Sequence, residues 1–216
     1  MPHDRPTTSQ PVATGLAEKL QRPTALLVID MQNDFCASGG YIDRVMGKDV
    51  QSAATVVPPI QRMVDAARRR GVPVIWVMAD YSHAALPASM RSKLLERNIT
   101  QACCAPGSWG AELFQLQANA DEPQVIKHTY SGFHRTSLHE TLQRRGIETL
   151  VFTGVQTHIC VESSLRDAHS LGYYCVMLED AVSAHTPAAH QATVDNVNFL
   201  FGDACPSQTV LDAWQA

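Results

Sequence analysis

Three side chains of complementary chemistry lie at or just after the ends of apolar runs. Asp30 ends the run ALLVID, Lys127 ends QVIK, and Cys160 lies six residues beyond the glycine of TLVFTG. A carboxylate can accept the proton of a thiol and return it to a leaving amine, and a nearby ammonium group stabilises both anions. Backbone N–H groups close to the thiol can stabilise the oxyanion of a tetrahedral intermediate. Together these residues predict nucleophilic catalysis by Cys160.

The ionisation of this thiol depends on its surroundings. A free thiol has a pKa of about 8.5 and is mostly protonated at neutral pH. An amphipathic segment follows Cys160, so we expect the thiol to lie at a helix N-terminus, which favours negative charge. The helix and a nearby cation are therefore expected to lower the pKa of Cys160.

The elements that position these residues are indicated by four continuous apolar runs, which are typical of parallel strands covered on both faces. Segments of helical periodicity lie between the runs, such as PPIQRMVDAARRRG with prolines at its start and Gly71 at its end. The sequence predicts a single-domain α/β fold, a Rossmann-like doubly wound parallel sheet with helices on both faces. Ligands bind at the carboxyl ends of such strands. The four runs are ALLVI (25–29), VPVIWVM (72–78), TLVF (149–152) and YCVML (174–178).

The chain of 216 residues is long enough for one domain with a sizeable core. Residues 1–22 are polar, contain prolines and lack the apolar centre of a secretory signal, so they are predicted to form a flexible N-terminal arm. The domain is predicted over residues 23–216. Residues 79–123 show weaker periodicity and are expected to shape the pocket or an oligomer contact.

The composition excludes several classes of protein. With 45% hydrophobic and 18% charged residues the chain is not globally disordered, and a net charge of −4 gives no reason to expect nucleic-acid binding. No apolar stretch approaches the roughly 18 residues of a membrane span. The six cysteines are scattered and form no C-x-x-C pair, which predicts a reducing, cytoplasmic location and no zinc ribbon.

From about residue 22 to the last helix, the chain resembles the isochorismatase-like cysteine hydrolases. The resemblance rests on LLVIDMQNDF, on the Lys127 segment and on FTGVQTHICVESSLRDAHSLGYYCVMLEDAVSA. It implies a triad of Cys160, Asp30 and Lys127, a homo-oligomer, and a cis peptide bond between Val155 and Gln156 that turns a backbone N–H toward the substrate carbonyl. True isochorismatases lack the thiol, so Cys160 favours hydrolysis of a C–N bond.

Two further stretches narrow the substrate class. GGYID (39–43) and YSGFHRTSL (130–138) resemble ureidoacrylate amidohydrolases, and IDMQNDFCASGGYID also resembles biuret hydrolases. The resemblance implies a cysteine amidohydrolase that acts on a small ureido or carbamoyl compound through a thioester-type intermediate and releases ammonia. The alternatives are a hydrolase of another small amide, nicotinamide-like or maleamate-like, and a catalytically retired binding or scaffold subunit.

Four further side chains are candidates for contact with the small-molecule substrate, although each has a structural interpretation as well. They are Phe35, Trp109, Gln156 and His158.

The sequence lacks the metal motif of a related group of enzymes. Nicotinamidases usually carry a metal-binding D-x-H after the second strand, whereas ADYSH places Asp80 and His83 one residue too far apart. We therefore predict neither a metal nor another cofactor.

Overall fold

Six parallel strands form the centre of the molecule, which is described here by a computed structural model of residues 12–215. The strand order is β3-β2-β1-β4-β5-β6, and every neighbouring pair is parallel. The predicted doubly wound α/β fold is confirmed. The strands are β1 (Thr24–Ile29), β2 (Val74–Ala79), β3 (Gln124–Lys127), β4 (Thr149–Val155), β5 (Tyr174–Ser183) and β6 (Asp203–Cys205).

Helices cover both faces of this sheet. Helices α1, α5 and α10 contribute to the core on one face, and α7, α8 and α9 contribute to the core on the other. The helices are α1 (Leu16–Leu20), α2 (Asn33–Cys36), α3 (Tyr41–Arg44), α4 (Gln51–Thr55), α5 (Val57–Arg70), α6 (Ala88–Leu95), α7 (Leu138–Arg144), α8 (Glu162–Ser170), α9 (Pro187–Asn196) and α10 (Ser207–Gln215).

The continuous apolar runs follow from this two-sided burial. All six residues of β1 are buried, with Leu26 and Val28 in the core of one face and Leu27 in the core of the other. Burial of a large aliphatic side chain stabilises the fold by about 1.5–3 kcal/mol. Because both faces of β1 are covered, a polar residue at any position of this strand would be buried and would lower the stability of the fold.

The order of the strands reverses between β1 and β4. The chain runs outward from β1 through β2 to β3, and then returns to pair β4 with the other edge of β1. The loops after β1 and β4 consequently diverge to opposite faces and leave a crevice at the carboxyl end of the sheet. Ligands bind in such a crevice in open parallel sheets.

Part of the predicted N-terminal arm is attached to the domain. Residues 1–11 lie outside the described residues, but α1 follows them, and its Leu20 is buried. Lys19 Nζ lies 2.6 Å from Asp203 Oδ2, and Arg22 forms an ion pair with Glu148. The domain boundary at residue 22 stays a prediction. No helix within residues 12–215 combines the length and the hydropathy that a membrane span requires.

Candidate active site

Asp30, Lys127 and Cys160 are far apart in the sequence but meet at the carboxyl ends of the strands. Lys127 Nζ lies 2.8 Å from Asp30 Oδ2 and 3.6 Å from Cys160 Sγ. The side chains of Lys127 and Asp30 are 0% and 1% exposed, so this ion pair is shielded from water. Two strands separate Lys127 from Cys160 in the sheet, and the long lysine side chain covers that distance. The structure thus brings together the three residues of the predicted triad.

The backbone at Asp30 directs its carboxylate into the crevice. Asp30 leaves β1 with a φ of 52°, in the left-handed region that aspartate and asparagine adopt more readily than other non-glycine residues. Its N–H donates to Val77 O at 2.8 Å, so pairing with β2 continues through the turn. Such a conformation costs about 1–3 kcal/mol and persists where neighbouring structure holds it.

Cys160 lies in a wide helical turn between β4 and α8. Val161 N–H donates to Gln156 O at 3.3 Å, an i to i+5 bond, and Ser164 Oγ donates to Cys160 O at 2.7 Å. Turns of this width are frequent at functional sites. Cys160 therefore lies in the π-helical turn Thr157–Val161, which leads directly into α8 at Glu162.

β4 and β1 approach each other closely just before this turn. A Cβ atom at Gly154, which has a φ of 111°, would lie 2.0 Å from Ile29 O, so no other residue fits there. The peptide bond between Val155 and Gln156 is cis, at the position that the resemblance implies. The contribution of this bond to an oxyanion site stays a prediction.

The resting thiol is more basic than the sequence indicated. Burial and, second, the negative charge of Asp30 raise the pKa of Cys160 to about 12, although Lys127 acts in the opposite direction. The expected lowering of this pKa is therefore wrong. The sequence pattern indicated a cation and a helix near Cys160, but it could not show that the thiol is completely buried beside the Asp30 carboxylate. At neutral pH the thiol is protonated and needs a base when it attacks.

Asp30 is suited to be that base. Burial raises the pKa of its carboxyl group above the ordinary value, against the opposing charge of Lys127. A carboxylate with a raised pKa binds a proton more readily and so accepts one from a thiol at lower cost. Burial lowers the pKa of Lys127, but the charges of Asp30 and Cys160 outweigh that effect, and the net shift is upward. Lys127 therefore stays positively charged.

Tyr81, which sequence reasoning missed as a site residue, completes the surroundings of Lys127. Lys127 Nζ donates to Tyr81 Oη at 2.7 Å and to Thr129 O at 3.1 Å. The Tyr81 hydroxyl donates to Thr129 O at 2.9 Å and lies 3.9 Å from Cys160 Sγ. Its position two residues after the end of β2, near the carboxyl edge of the sheet where Asp30 follows β1, was the available signal. The stretch ADYSH was considered only as a metal motif.

A cavity of about 320 Å³ opens onto Cys160. Phe35 and Gln156, two of the predicted substrate contacts, line it together with Asp30 and Tyr81. Gln156 is buried, and its Oε1 has no hydrogen-bond partner among residues 12–215. An acceptor left unpaired in this way costs about 1–3 kcal/mol, so a ligand that donates to it gains affinity.

The other two predicted substrate contacts do not line this cavity. The Trp109 turn is held through its backbone, where Asn33 Nδ2 donates to Trp109 O at 2.8 Å, and the indole ring is left 52% exposed. The His158 ring packs edge-on against His185, with the ring centroids 6.1 Å apart. Neither side chain is part of the cavity lining in the described chain, and their contact with the substrate stays a prediction.

The polar side chains that could suggest a metal site are bonded to the backbone. Asp34 lies close enough to Cys103 and Cys104 to share an ion with them. Its two carboxylate oxygens, however, accept the N–H groups of Tyr41 at 3.1 Å and Cys104 at 2.6 Å, which explains the cluster as a loop anchor. Asp80 Oδ1 likewise accepts Ser82 N–H. The absence of a metal stays a prediction.

Residues 24–209 match the family model described as "Isochorismatase domain". The chain is similar to the ureidoacrylate amidohydrolase RutB of Agrobacterium fabrum, with 39% identity over 193 residues, which cover 83% of this chain and 84% of that protein. It is 37% identical over 220 residues to the protein of the same name from Cronobacter sakazakii, covering 95% of this chain and 93% of that protein.

Solved structures show the same architecture. An isochorismatase family protein from Desulfovibrio vulgaris superposes with a TM-score of 0.79 and 29% identity, covering 90% of this chain and all of that one (100%). The N-carbamoylsarcosine amidase of Thermoplasma acidophilum superposes with a TM-score of 0.70 and 27% identity, covering 85% of this chain and 96% of that one.

Proposed function

Because the chain belongs to the isochorismatase family, we propose that it is a cysteine amidohydrolase that cleaves a C–N bond of a small ureido or carbamoyl compound. The observation that carries the proposal is the contact of Lys127 Nζ with both Asp30 Oδ2 and Cys160 Sγ at the base of the cavity. The similarity to ureidoacrylate amidohydrolases and to an N-carbamoylsarcosine amidase supports the ureido or carbamoyl substrate class.

In the first half of the proposed reaction, Cys160 Sγ attacks the substrate carbonyl carbon as Asp30 takes the thiol proton. The charge that develops on the carbonyl oxygen is held by backbone N–H groups of Gln156 and Cys160. Asp30 then returns the proton to the leaving nitrogen as the C–N bond breaks, which leaves a thioester on Cys160. Lys127 stabilises the carboxylate and the developing thiolate throughout.

In the second half, water replaces the amine. The water oxygen attacks the thioester carbon as Asp30 takes a proton from the water. The C–S bond then breaks, and its electron pair returns to Cys160 Sγ. The thiolate then recovers its proton from Asp30. When the leaving group is ammonia, the other product is a carbamic acid, which loses carbon dioxide to give the amine.

Gln156 is the proposed determinant of ureido specificity. A ureido group carries an additional N–H beside the carbonyl, and the unpartnered Gln156 Oε1 is a buried acceptor that this N–H can reach from within the cavity. A simple amide such as nicotinamide leaves this acceptor unpaired, at a cost of about 1–3 kcal/mol.

We expect kcat/KM for ureidoacrylate or biuret to exceed that for nicotinamide by at least about tenfold, the equivalent of one unpaired group. The measurement is ammonia release from ureidoacrylate, biuret, maleamate and nicotinamide, with a Gln156→Met variant as the comparison. This variant keeps the length of the side chain but removes the acceptor, so the preference should disappear. Nicotinamide or maleamate as the best substrate of the parent enzyme would contradict the ureido assignment.

We propose that Tyr81 is a positioning residue that orients the Lys127 ammonium toward Asp30 and Cys160. Tyr81→Phe removes the hydroxyl that accepts from Lys127 Nζ and that lies within reach of the thiolate. Hydrogen bonds to charged groups are worth about 1.5–3 kcal/mol, so kcat/KM should fall by about tenfold or more. The pH profile of Cys160 labelling by iodoacetamide should shift to higher pH because the Lys127 ammonium is no longer held beside the thiolate.

Tyr173→Phe is the matched control for this substitution. Tyr173 is also buried, and its hydroxyl bonds to His139 on the helical face, away from Cys160. The control should leave both kcat/KM and the labelling profile unchanged. An unshifted profile in Tyr81→Phe, together with unchanged kcat/KM, would show that the hydroxyl does not act on Lys127.

We further propose that the protein is a cytoplasmic homo-oligomer with no nucleic-acid or membrane partner. All six cysteines are free thiols, and a reducing compartment keeps a thiol nucleophile available. Phe199 and Leu200 expose 79% and 61% of their surface, and exposed apolar side chains of this size are frequent at subunit contacts. Light scattering coupled to gel filtration measures the number of subunits.

A further inference from the structure

The cavity in front of Cys160 has one polar end and one apolar wall. Asp30, Cys160 and Gln156 form the polar end, where the carbamoyl group is proposed to react. The apolar wall consists of aliphatic and thioether side chains on the same lining, which have no polar group to offer a ligand. These side chains are Ile42, Met46, Leu86, Met90 and Leu94.

Helix α6 supplies much of this apolar wall. No residue of α6 is fully buried, yet its Met90 and Leu94 pack against the core while lining the cavity. Leu95, the next residue, points elsewhere and is 60% exposed. Met90 and Leu94 therefore present apolar surface to the cavity. A substrate with an apolar substituent would cover this surface and remove it from water.

Three cationic side chains also line this cavity. Lys48, Lys93 and Arg97 all border it, whereas Asp30 is the one acidic residue on its lining within residues 12–215. Asp30 is already paired with Lys127, and Lys93 is paired with Glu96. Arg97 and Lys48 form no ion pair with the described residues and are exposed at the surface. The part of the lining that carries Lys48 and Arg97 therefore favours an anion.

We propose that the substrate is a ureido acid with a large apolar substituent, such as an N-carbamoyl amino acid with an aliphatic or aromatic side chain. The inference rests on the proposed function and specifies its substrate. The carbamoyl group lies at Cys160, the substituent covers Met90 and Leu94, and the carboxylate lies near Arg97. Biuret has no apolar group and no carboxylate, so it uses neither the wall nor the cations.

Four ureas test the two features separately. N-carbamoylleucine, assayed as both enantiomers, carries both the substituent and the carboxylate, and N-carbamoylglycine carries the carboxylate alone. The compounds 3-methylbutylurea and methylurea are the corresponding molecules without the carboxylate. We expect the leucine compound to exceed the glycine compound in kcat/KM by about tenfold or more, the usual effect of burying an aliphatic side chain. We expect the carboxylate to increase kcat/KM by about threefold to fivefold at low salt, and by less at high salt.

Two pairs of variants assign these effects to the wall and to the cations. Leu94→Ala should reduce the preference for the leucine compound, whereas Leu95→Ala on the same helix should not. Arg97→Gln should remove the effect of the carboxylate together with its salt dependence, whereas Arg91→Gln, on α6 and outside the lining of this cavity, should not. Circular dichroism and thermal unfolding show whether each variant is folded.

The outcomes separate this inference from the proposed function. Equal kcat/KM for the leucine and glycine compounds would overturn the inference and leave the function standing, and so would hydrolysis of ureidoacrylate without hydrolysis of any of the four ureas. Failure of every ureido compound to release ammonia, with the amides still hydrolysed, would overturn both.

Discussion

Cys160→Ala is expected to abolish ammonia release while leaving the fold intact. The substitution removes the atom that is proposed to form the covalent intermediate. Among the described residues, Cys103 is the other cysteine on the lining of the cavity. The loss of one buried sulfur leaves a cavity no larger than a methyl group, which costs about 1 kcal/mol. Steady-state kinetics and thermal unfolding measure the two effects separately.

Cys175→Ala is the matched control for the loss of a buried thiol. Cys175 lies in β5, is 1% exposed, and its Sγ contacts the carbonyl oxygens of Leu165 and Tyr173 rather than the cavity. Burial raises the pKa of its thiol to about 12, as it does for Cys160. The control should keep parental activity. Turnover within tenfold of the parent in Cys160→Ala would show that the reaction does not pass through this thiol.

The intermediate itself can be observed by mass. In Cys160→Ser the hydroxyl is a weaker nucleophile, and the ester it forms is hydrolysed slowly when the site is built for a thioester. Intact-protein mass spectrometry after incubation with a ureido substrate should therefore show an adduct on the serine variant and none on Cys160→Ala.

Asp30→Asn is expected to reduce kcat by about 10²–10⁴, the usual range for loss of a general acid–base group. Asparagine has the shape of aspartate and tolerates the left-handed backbone found at this position, so the loop should keep its conformation. The amide cannot accept the thiol proton, and Cys160 then lacks a base. The measurement is kcat/KM across the pH range, with the parent enzyme as reference.

The same substitution also leaves Lys127 as a buried charge without its partner. Removing one member of a buried ion pair costs about 3–5 kcal/mol of unfolding free energy, so lower activity could reflect unfolding. The double variant Asp30→Asn with Lys127→Met removes both charges and should recover much of the stability but none of the activity. Recovery of activity together with stability would show that Asp30 has a structural role and is not the base.

The meeting of Asp30, Lys127 and Cys160 could be predicted from the sequence because it follows from topology. Each residue ends or follows an apolar run, and the carboxyl ends of parallel strands share one edge of the sheet. The continuous runs predicted parallel strands, and the structure confirms them. β6, which has only three residues, carries too little periodic signal to be recognised.

The electrostatics of the site could not be predicted in the same way. The pKa of Cys160 depends on how far the thiol is buried and on its distance from Asp30, and both are tertiary quantities. Spacing along the chain indicated a cation near the thiol but not the larger effect of burial. Tyr81 was missed for a related reason, because its role depends on contacts with residues distant in the sequence, 46 positions away at Lys127.

The direction of side chains in loops was the other feature that could not be predicted from the sequence. Trp109 and His158 occur in stretches that resemble pocket-forming segments, but the sequence alone does not show which way their side chains point. A short helix such as α6 has weak periodicity, so the sequence did not reveal that Met90 and Leu94 would form a wall of the pocket.

The raised pKa of Cys160 also bears on how long the enzyme survives in a cell. Peroxides oxidise thiolates far faster than thiols, and the products beyond sulfenic acid are irreversible. A nucleophile with a permanently low pKa would be exposed to this damage between turnovers. Cys160 instead rests as a buried thiol with a pKa of about 12. In the proposed mechanism Asp30 takes this proton only during attack, so the oxidisable thiolate would form only while substrate occupies the cavity.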